Sequence, residues 1–274
     1  MSPAESAVFV RRFDAFDRVL HGLLMLSFLG LAATGLPLLF SDEPWAQTLA
    51  SVLGNFAVAG WVHRVCAVLL IAVFLTHLGR IGRRLLRRDY SALWGPTSMM
   101  PQPKDLRDFV GHVRWFVARG PRPQFDRFTY WEKFDYWAVF WGMGIIGASG
   151  LLLWFPEFFA RFIPGWMFNV AMLIHGEEAL LAVGFIFTLH FFNGHLRPEK
   201  FPMDTVIFTG RVALEEMRYE RPEEYARMQR EGTLPAIRTD PPPPWLLRLG
   251  RTIGTIAVTI GLILVALILY AIAT

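Results

Sequence analysis

The sequence predicts an all-α integral membrane protein, a four-helix bundle followed by a fifth C-terminal transmembrane helix, and three observations carry that expectation. Hydrophobic residues make up 54% of the 274 and charged ones 18%, which is more apolar than an ordinary globular domain. Uncharged apolar windows long enough to cross a bilayer recur along the chain, and Lys and Arg are confined almost entirely to alternate loops.

The windows cover residues 19–40, 56–78, 137–155, 166–192 and 253–273. Each can satisfy its backbone hydrogen bonds within one helix, as lipid requires. The first reads as a retained helix, not a signal peptide, because no small-residue cleavage site follows Phe40 and more spans come after it. On this division, residues 1–200 form the bundle with a charged loop over 80–133, 201–245 form a cytoplasmic segment, and 246–274 carry the fifth span.

Charge sets the expected orientation. Arg11, Arg12 and Arg18 precede the first span, twelve Lys or Arg lie from Arg80 to Lys133, ten lie from Arg197 to Arg251, and only Arg64 and Arg161 fall on the other side. Positive residues stay cytoplasmic in short loops, so the chain is expected in a bacterial inner membrane with its N-terminus inside and its C-terminus, AIAT, in the periplasm. Topology then accounts for the net charge of +4 without nucleic acid, and the basic face suits an anionic lipid bilayer.

With orientation fixed, the seven histidines can be ranked by depth. His63 and His77 stand in the second span and His175 and His190 in the fourth, while His21 opens the first and His195 closes the fourth. Fourteen residues advance a helix about 21 Å and leave two side chains about 40° apart, and fifteen give about 22 Å and 60°. Each pair therefore lies on roughly one face, one member per leaflet. Intramembrane ionisable residues are costly and usually functional, and the alternative is imidazoles hydrogen-bonded across helices as packing.

Zinc sites gather three or four ligands closely, whereas these histidines come at most one per helix per level. Haem suits them better, because its iron takes two axial imidazoles from facing helices. The lone cysteine, Cys66, lies in the second span, so no CxxCH exists for covalent attachment. In the third span Gly142, Gly144, Gly147 and Gly150 could leave room for a macrocycle or serve small-xxx-small helix packing. Arg64 could pair with a haem propionate or snorkel to outer headgroups. Glu177 and Glu178 could relay protons or face water at the start of the fourth helix, where the dipole favours carboxylates.

The stretches FDRVLHGLLMLSFLGLAATGLPL, VHRVCAVLL and PRPQFDRFTYWEKFDYWAVFWG, with the fourth span, resemble the membrane cytochrome b subunit of respiratory formate dehydrogenases over roughly residues 10 to 200. The resemblance implies a di-haem four-helix bundle that passes electrons between a partner redox protein and a quinone. It implies that His63 and His175 hold an outer haem b, and His21 and His190 an inner one.

Three features depart from that pattern. The spacing from His175 to His190 is one residue longer than the resemblance implies, which calls for a π-bulge or a shift of ligand. His77 is extra, and it opens two other assignments: pairing with His190 as in bc-type cytochromes, or a third haem between His77 and His195. The segment after Asn193 and the fifth span are extra too, and resemble stand-alone cytochromes b that work with multihaem c-type cytochromes. The partner is therefore either such a cytochrome or an iron–sulfur oxidoreductase subunit. A haem-free anchor or transporter is the reading from another class.

A quinone needs donors for its carbonyls and a proton route. Asn193, His195 and Arg197 at the inner end of the fourth span offer both, with Glu177 and Glu178 as the outer alternative. His195 is five residues beyond His190, about 140° around an α-helix. Outside the bundle, residues 104–120 place Leu106, Phe109, Val110, Val113, Phe116 and Val117 on one face, as an interfacial helix does. His112 is expected at its surface. Residues 211–238 read as one soluble helix with a solvated charged face, and PPPP at 241–244 as a stiff spacer. No internal repeat, Gly-rich phosphate loop or nucleophile triad appears.

Overall fold

The structure, a computed structural model, describes residues 8 to 273. Residues 1–7 and Thr274, the end of the tail expected in the periplasm, lie outside the described residues. In chain order the elements are β1 (Phe9–Arg11), α1 (Ala15–Leu39), α2 (Pro44–Val52), α3 (Phe56–Leu86), α4 (Pro103–Phe116), α5 (Tyr130–Trp154), α6 (Pro156–Phe159) and α7 (Trp166–Phe185). There follow α8 (Val206–Thr209), β2 (Arg211–Ala213), α9 (Leu214–Glu220), α10 (Pro222–Arg230), β3 (Arg238–Thr239) and α11 (Pro244–Ala273).

Five helices are long and apolar enough to cross a membrane: α1, α3, α5, α7 with its continuation to Leu196, and α11. Each covers one of the predicted windows to within one residue, but α3 runs on through Arg80, Arg83 and Arg84, and α5 begins as early as Tyr130. A hydropathy window stops at the first charge, whereas a helix continues through residues such as Arg, Leu and Lys that favour it. After Phe185 the fourth span changes geometry. Ile186–His190 and Phe192–Leu196 are π-helical, so the surplus residue between His175 and His190 is absorbed as a bulge.

By contacts the chain divides into two compact units. One comprises Leu20–Thr76, Ala138–Asp204 and Thr252–Thr274. Its core joins Ala32, Leu36, Val183, Phe187, Phe191, Leu264 and Ile268, and Phe187 is 1% exposed. Between helices in lipid the driving force is close packing, so small residues mark the contacts. A Cβ on Gly30 would lie 2.5 Å from Cys66 Sγ, one on Gly254 2.6 Å from Met203 Sδ, and one on Gly261 2.6 Å from the Phe187 ring.

The other unit comprises Met1–Val19, His77–Trp137 and Thr205–Arg251. Here the expected single helix over 211–238 is replaced by α9, α10 and a three-stranded antiparallel sheet in the order β2-β1-β3. Pro222 cannot donate the hydrogen bond that would carry α9 onward, so the chain breaks at Arg221. Val10 pairs with Val212 and Arg238 and packs with Met217 and Leu234. Strands this short give a pattern too brief to stand out from helix, and among the described residues the sheet is the one departure from an otherwise helical fold. α4 forms where expected but stops at Phe116, short of residue 120, with Pro103 in its first turn and a capping box between Gln102 and Asp105. His112 is not a plain surface residue. It stacks on Phe116 at 4.7 Å, packs beside Phe125 and Trp131, and reaches the Tyr130 hydroxyl at 3.0 Å.

The charges expected on a solvated face are partly interior. Glu224, 1% exposed, bonds Arg12 at 3.2 Å and Arg127 at 3.1 Å, while Glu132 bonds Arg221 at 2.8 Å. Three separate stretches of chain meet there. Removing one member of a buried pair strands the other charge, at a cost of about 3–5 kcal/mol. Glu224→Ala should therefore destabilise the protein by roughly 3 kcal/mol, read as a lower thermal unfolding midpoint of the purified chain. A midpoint equal to that of the parent would mean that the pairs are not coupled to folding.

Candidate metal centre

His63 stands seven residues into α3 and His175 nine residues into α7. Their ring centroids are 6.3 Å apart, with the planes at 72°. Both imidazoles are held in the same way. His175 Nδ1 donates to the Ile146 carbonyl at 3.0 Å, with Ser149 Oγ 3.2 Å away. His63 Nδ1 stands 3.1 Å from Thr34 Oγ1. The hydroxyls are spent as donors on their own helices, Thr34 on Gly30 O at 2.6 Å and Ser149 on Ile145 O at 2.7 Å, so each accepts from Nδ1–H. A neutral imidazole that carries its proton on Nδ1 leaves Nε2 as the lone-pair nitrogen.

Next to each hydroxyl is a glycine. A Cβ on Gly35 would stand 2.9 Å from His63 Cε1, and one on Gly150 2.9 Å from His175 Cε1. Ala-Thr-Gly at 33–35 of α1 and Ala-Ser-Gly at 148–150 of α5 are thus equivalent cradles for one imidazole apiece. Sequence reasoning listed Gly150 only as one of a row, and did not single out Thr34, Gly35 or Ser149. The matching tripeptides were the available signal.

At the other level His21 of α1 is within electrostatic reach of both His190 and His195, and those two act on each other. The α-helical geometry expected to set His190 and His195 about 140° apart does not apply. In π-helix the backbone bonds run from i to i+5, which brings residues five apart toward one face. His195 Nδ1 is buried and makes no hydrogen bond. His77 is engaged differently: its Nε2 lies 2.8 Å from the Tyr136 hydroxyl.

The remaining predicted residues fall as follows. A Cβ on Gly144 would meet nothing within 4 Å, and one on Gly147 only Met143 of its own helix, at 3.9 Å, so neither is packed against a neighbouring helix. The exposed Arg64 guanidinium lies over the Trp61 and Trp154 rings at 5.4 and 5.8 Å. Asn193 is half-buried within the second π-helical run. Glu177 and Glu178 are not at a helix start. Because α7 begins at Trp166, they are about three turns inside it, beyond the reach of the terminal dipole. Glu178 accepts a hydrogen bond from Trp141 Nε1 at 3.1 Å.

Five apolar helices among the described residues, with His63 and His175 facing each other from two of them, define the class, a multi-pass helical membrane protein with imidazole donors inside its spans. The chain belongs to the prokaryotic cytochrome b561 family, whose model matches residues 12–197. It is similar to the formate dehydrogenase cytochrome b556(fdo) subunit of Escherichia coli, 23% identical over 174 residues, 63% of this chain and 72% of that protein. It is also similar to the formate dehydrogenase cytochrome b556 subunit of Haemophilus influenzae, 21% identical over 167 residues, 60% of this chain and 62% of that one. It is thus a prokaryotic membrane cytochrome b of electron transfer, and membership implies haem b.

The residues present fit that group. Two imidazoles bonded about 2 Å from one metal have ring centres roughly 6 Å apart, close to the spacing of His63 and His175. His63 and His175 face each other as a pair, and among the described residues no three of His, Cys, Asp and Glu gather as a zinc-type cluster. The cradles make a steric prediction of their own. Gly35→Val and Gly150→Val should each destabilise the chain by about 1–3 kcal/mol through overpacking, measured by thermal unfolding. Gly60→Ala, at a helical position with nothing within 4 Å, should be neutral or slightly stabilising.

Proposed function

We propose that the protein is a di-haem cytochrome b that passes electrons between the membrane quinone pool and a partner redox protein. The observation that carries the reading is the His63–His175 pair, whose Nδ1 atoms are both tied to neighbouring helices while the rings face each other at 6.3 Å. In this reading His63 and His175 hold one haem at the outer level, and His21 and His190 hold a second at the inner level. Each haem, when bound, supplies a one-electron carrier that the polypeptide lacks.

The chain's own residues do the rest. Thr34, Ser149 and the carbonyl of Ile146 fix the tautomer and raise the basicity of the two outer ligands. Gly144 and Gly147 leave open space beside α5. Arg64, one residue after His63, would neutralise a propionate. Asn193 and His195 would offer donors to quinone carbonyls, and His195 would pass the proton. The π-helical turn supports His190 as a ligand, since it compensates the extra residue between it and His175. The bond from His77 to Tyr136 occupies the nitrogen that the outer pair leaves free, which favours His21 over His77 as the second inner ligand.

Orientation with the basic loops in the cytoplasm follows from charge. The names of the relatives suggest an oxidoreductase partner, and the chain beyond residue 197 favours a multihaem c-type cytochrome over an iron–sulfur subunit. A second reading rests on the unbonded Nδ1 of His195 and the π geometry that draws it toward His190. In it His195 is itself an iron ligand.

The reduced, purified chain should give a sharp b-type α-band, and its absence would leave a haem-free anchor. His63→Ala and His175→Ala should each lower the pyridine haemochrome content by about half, keeping the inner haem. Unchanged haem in both variants sinks the outer site. His195→Ala should slow quinol-dependent haem reduction by roughly tenfold to a hundredfold, in the range of general acid–base effects, with haem content intact. Loss of a haem would make His195 a ligand, and no change in either readout would move the quinone to Glu178.

A further inference from the structure

The loop joining the second and third spans carries a feature that electron transfer does not use. Two residues past the end of α4 stands a left-handed residue, Ala118 (φ 54), a conformation that L-residues avoid. The turn is closed by Arg119 N donating to Arg114 O at 2.7 Å. The chain then doubles back along the helix, close enough that a Cβ on Gly111 would touch Pro123 at 3.4 Å. Lys104 Nζ ties the returning strand through Gln124 O at 3.0 Å. Between helix and returning chain lies a cleft of about 450 Å³.

Arg107, Arg114, Arg119 and Arg122 line it, with Asp108 and Glu223. Lys104 pairs with both carboxylates, at 2.6 and 3.2 Å. Among the described residues none of the four guanidiniums has a carboxylate partner. Only Arg122 is otherwise occupied, lying over Tyr219 at 4.9 Å and Trp115 at 5.9 Å. With Lys104 counted, the positive groups exceed the negative ones by three. Guanidiniums that line one cleft without carboxylate partners repel one another, and their forked donors match the oxygens of phosphate.

We propose that this cleft is a binding site for a phosphate-bearing anion, with the headgroup of an anionic phospholipid as its source. The adjoining surface argues for lipid. Leu106, Phe109, Val110 and Val113 of α4 are exposed, and an amphipathic helix with such a face lies in the membrane interface. The phosphate level of the bilayer is then beside the arginines. The excess charge favours a phosphomonoester over a singly charged diester.

The test uses the full chain in a neutral detergent, titrated calorimetrically with short-chain phosphatidic acid, phosphatidylcholine and pyrophosphate. Phosphatidic acid should saturate one site per chain and phosphatidylcholine should not. Each arginine replaced should weaken binding about fivefold, so that Arg107→Gln/Arg114→Gln/Arg119→Gln weakens it roughly a hundredfold. The charge-matched Arg83→Gln/Arg87→Gln/Arg88→Gln should change it by no more than about twofold. If the triple variant fails to fold, the single variants Arg114→Gln and Arg119→Gln carry the same expectation of fivefold. Equal weakening in both sets, or no saturable binding of either phosphate probe, overturns the site. Saturable pyrophosphate without phosphatidic acid keeps the anion site and overturns lipid as its source.

Discussion

The hydrogen bond through Nδ1 of each histidine in the His63–His175 pair is the interaction on which the arrangement of the spans depends. A buried imidazole has two polar nitrogens to satisfy, and the apolar helices around it offer few partners. In α5 the partners are the Ile146 carbonyl, one turn before Ser149, and the Ser149 hydroxyl, and in α1 the partner is the Thr34 hydroxyl. Such groups are reachable only if the facing helix comes very near. Hence a glycine follows each hydroxyl, since a Cβ there would overlap the ring. Hydroxyl, glycine and histidine therefore act as one unit, in which the glycine sets the approach, the hydroxyl sets the tautomer, and Nε2 is what remains for chemistry.

The five spans were readable because nothing else in a sequence looks like twenty uncharged apolar residues, and the matched histidine depths followed from helix rise alone. The π-bulge was readable too, as a single surplus residue between His175 and His190, because a helix cannot gain a residue without losing register. The sheet was not. Phe-Val-Arg and Arg-Val-Ala have no periodicity beyond two residues, and what recruits them is Val10 packing on Val212 and Met217 from far along the chain. The same holds for Glu224, which looks like any charge on α10 until Arg12 and Arg127 arrive from elsewhere.

Within the candidate site the split is similar. The ligand candidates were visible one by one, since a histidine in a lipid-spanning helix is conspicuous. The cradles were not, because a Thr-Gly or a Ser-Gly is unremarkable in a transmembrane helix and gains meaning only from a ring on another helix. His195 was assigned its face by α-helical arithmetic and shifted with the π-helix. The error is instructive, since an inserted residue was expected upstream and its effect on the positions downstream was not carried through.

The family resemblance ends near residue 197, yet the packing of the fourth span does not. A π-bulge widens the helix and pushes side chains outward where an α-helix would tuck them in, so the bulged face needs new neighbours. Phe187 and Phe191 find them on α11, at Gly261 and in the cluster with Leu264 and Ile268, while Phe28 of α1 meets Phe187 edge-on at 5.7 Å from the other side. In lipid that contact rests on close approach and not on transfer from water, which is why the nearest residue on α11 is glycine. The fifth helix is then no independent anchor. It closes over the segment that carries His190 and His195, so the stretch beyond the family core and the irregularity inside it are two halves of one structural solution.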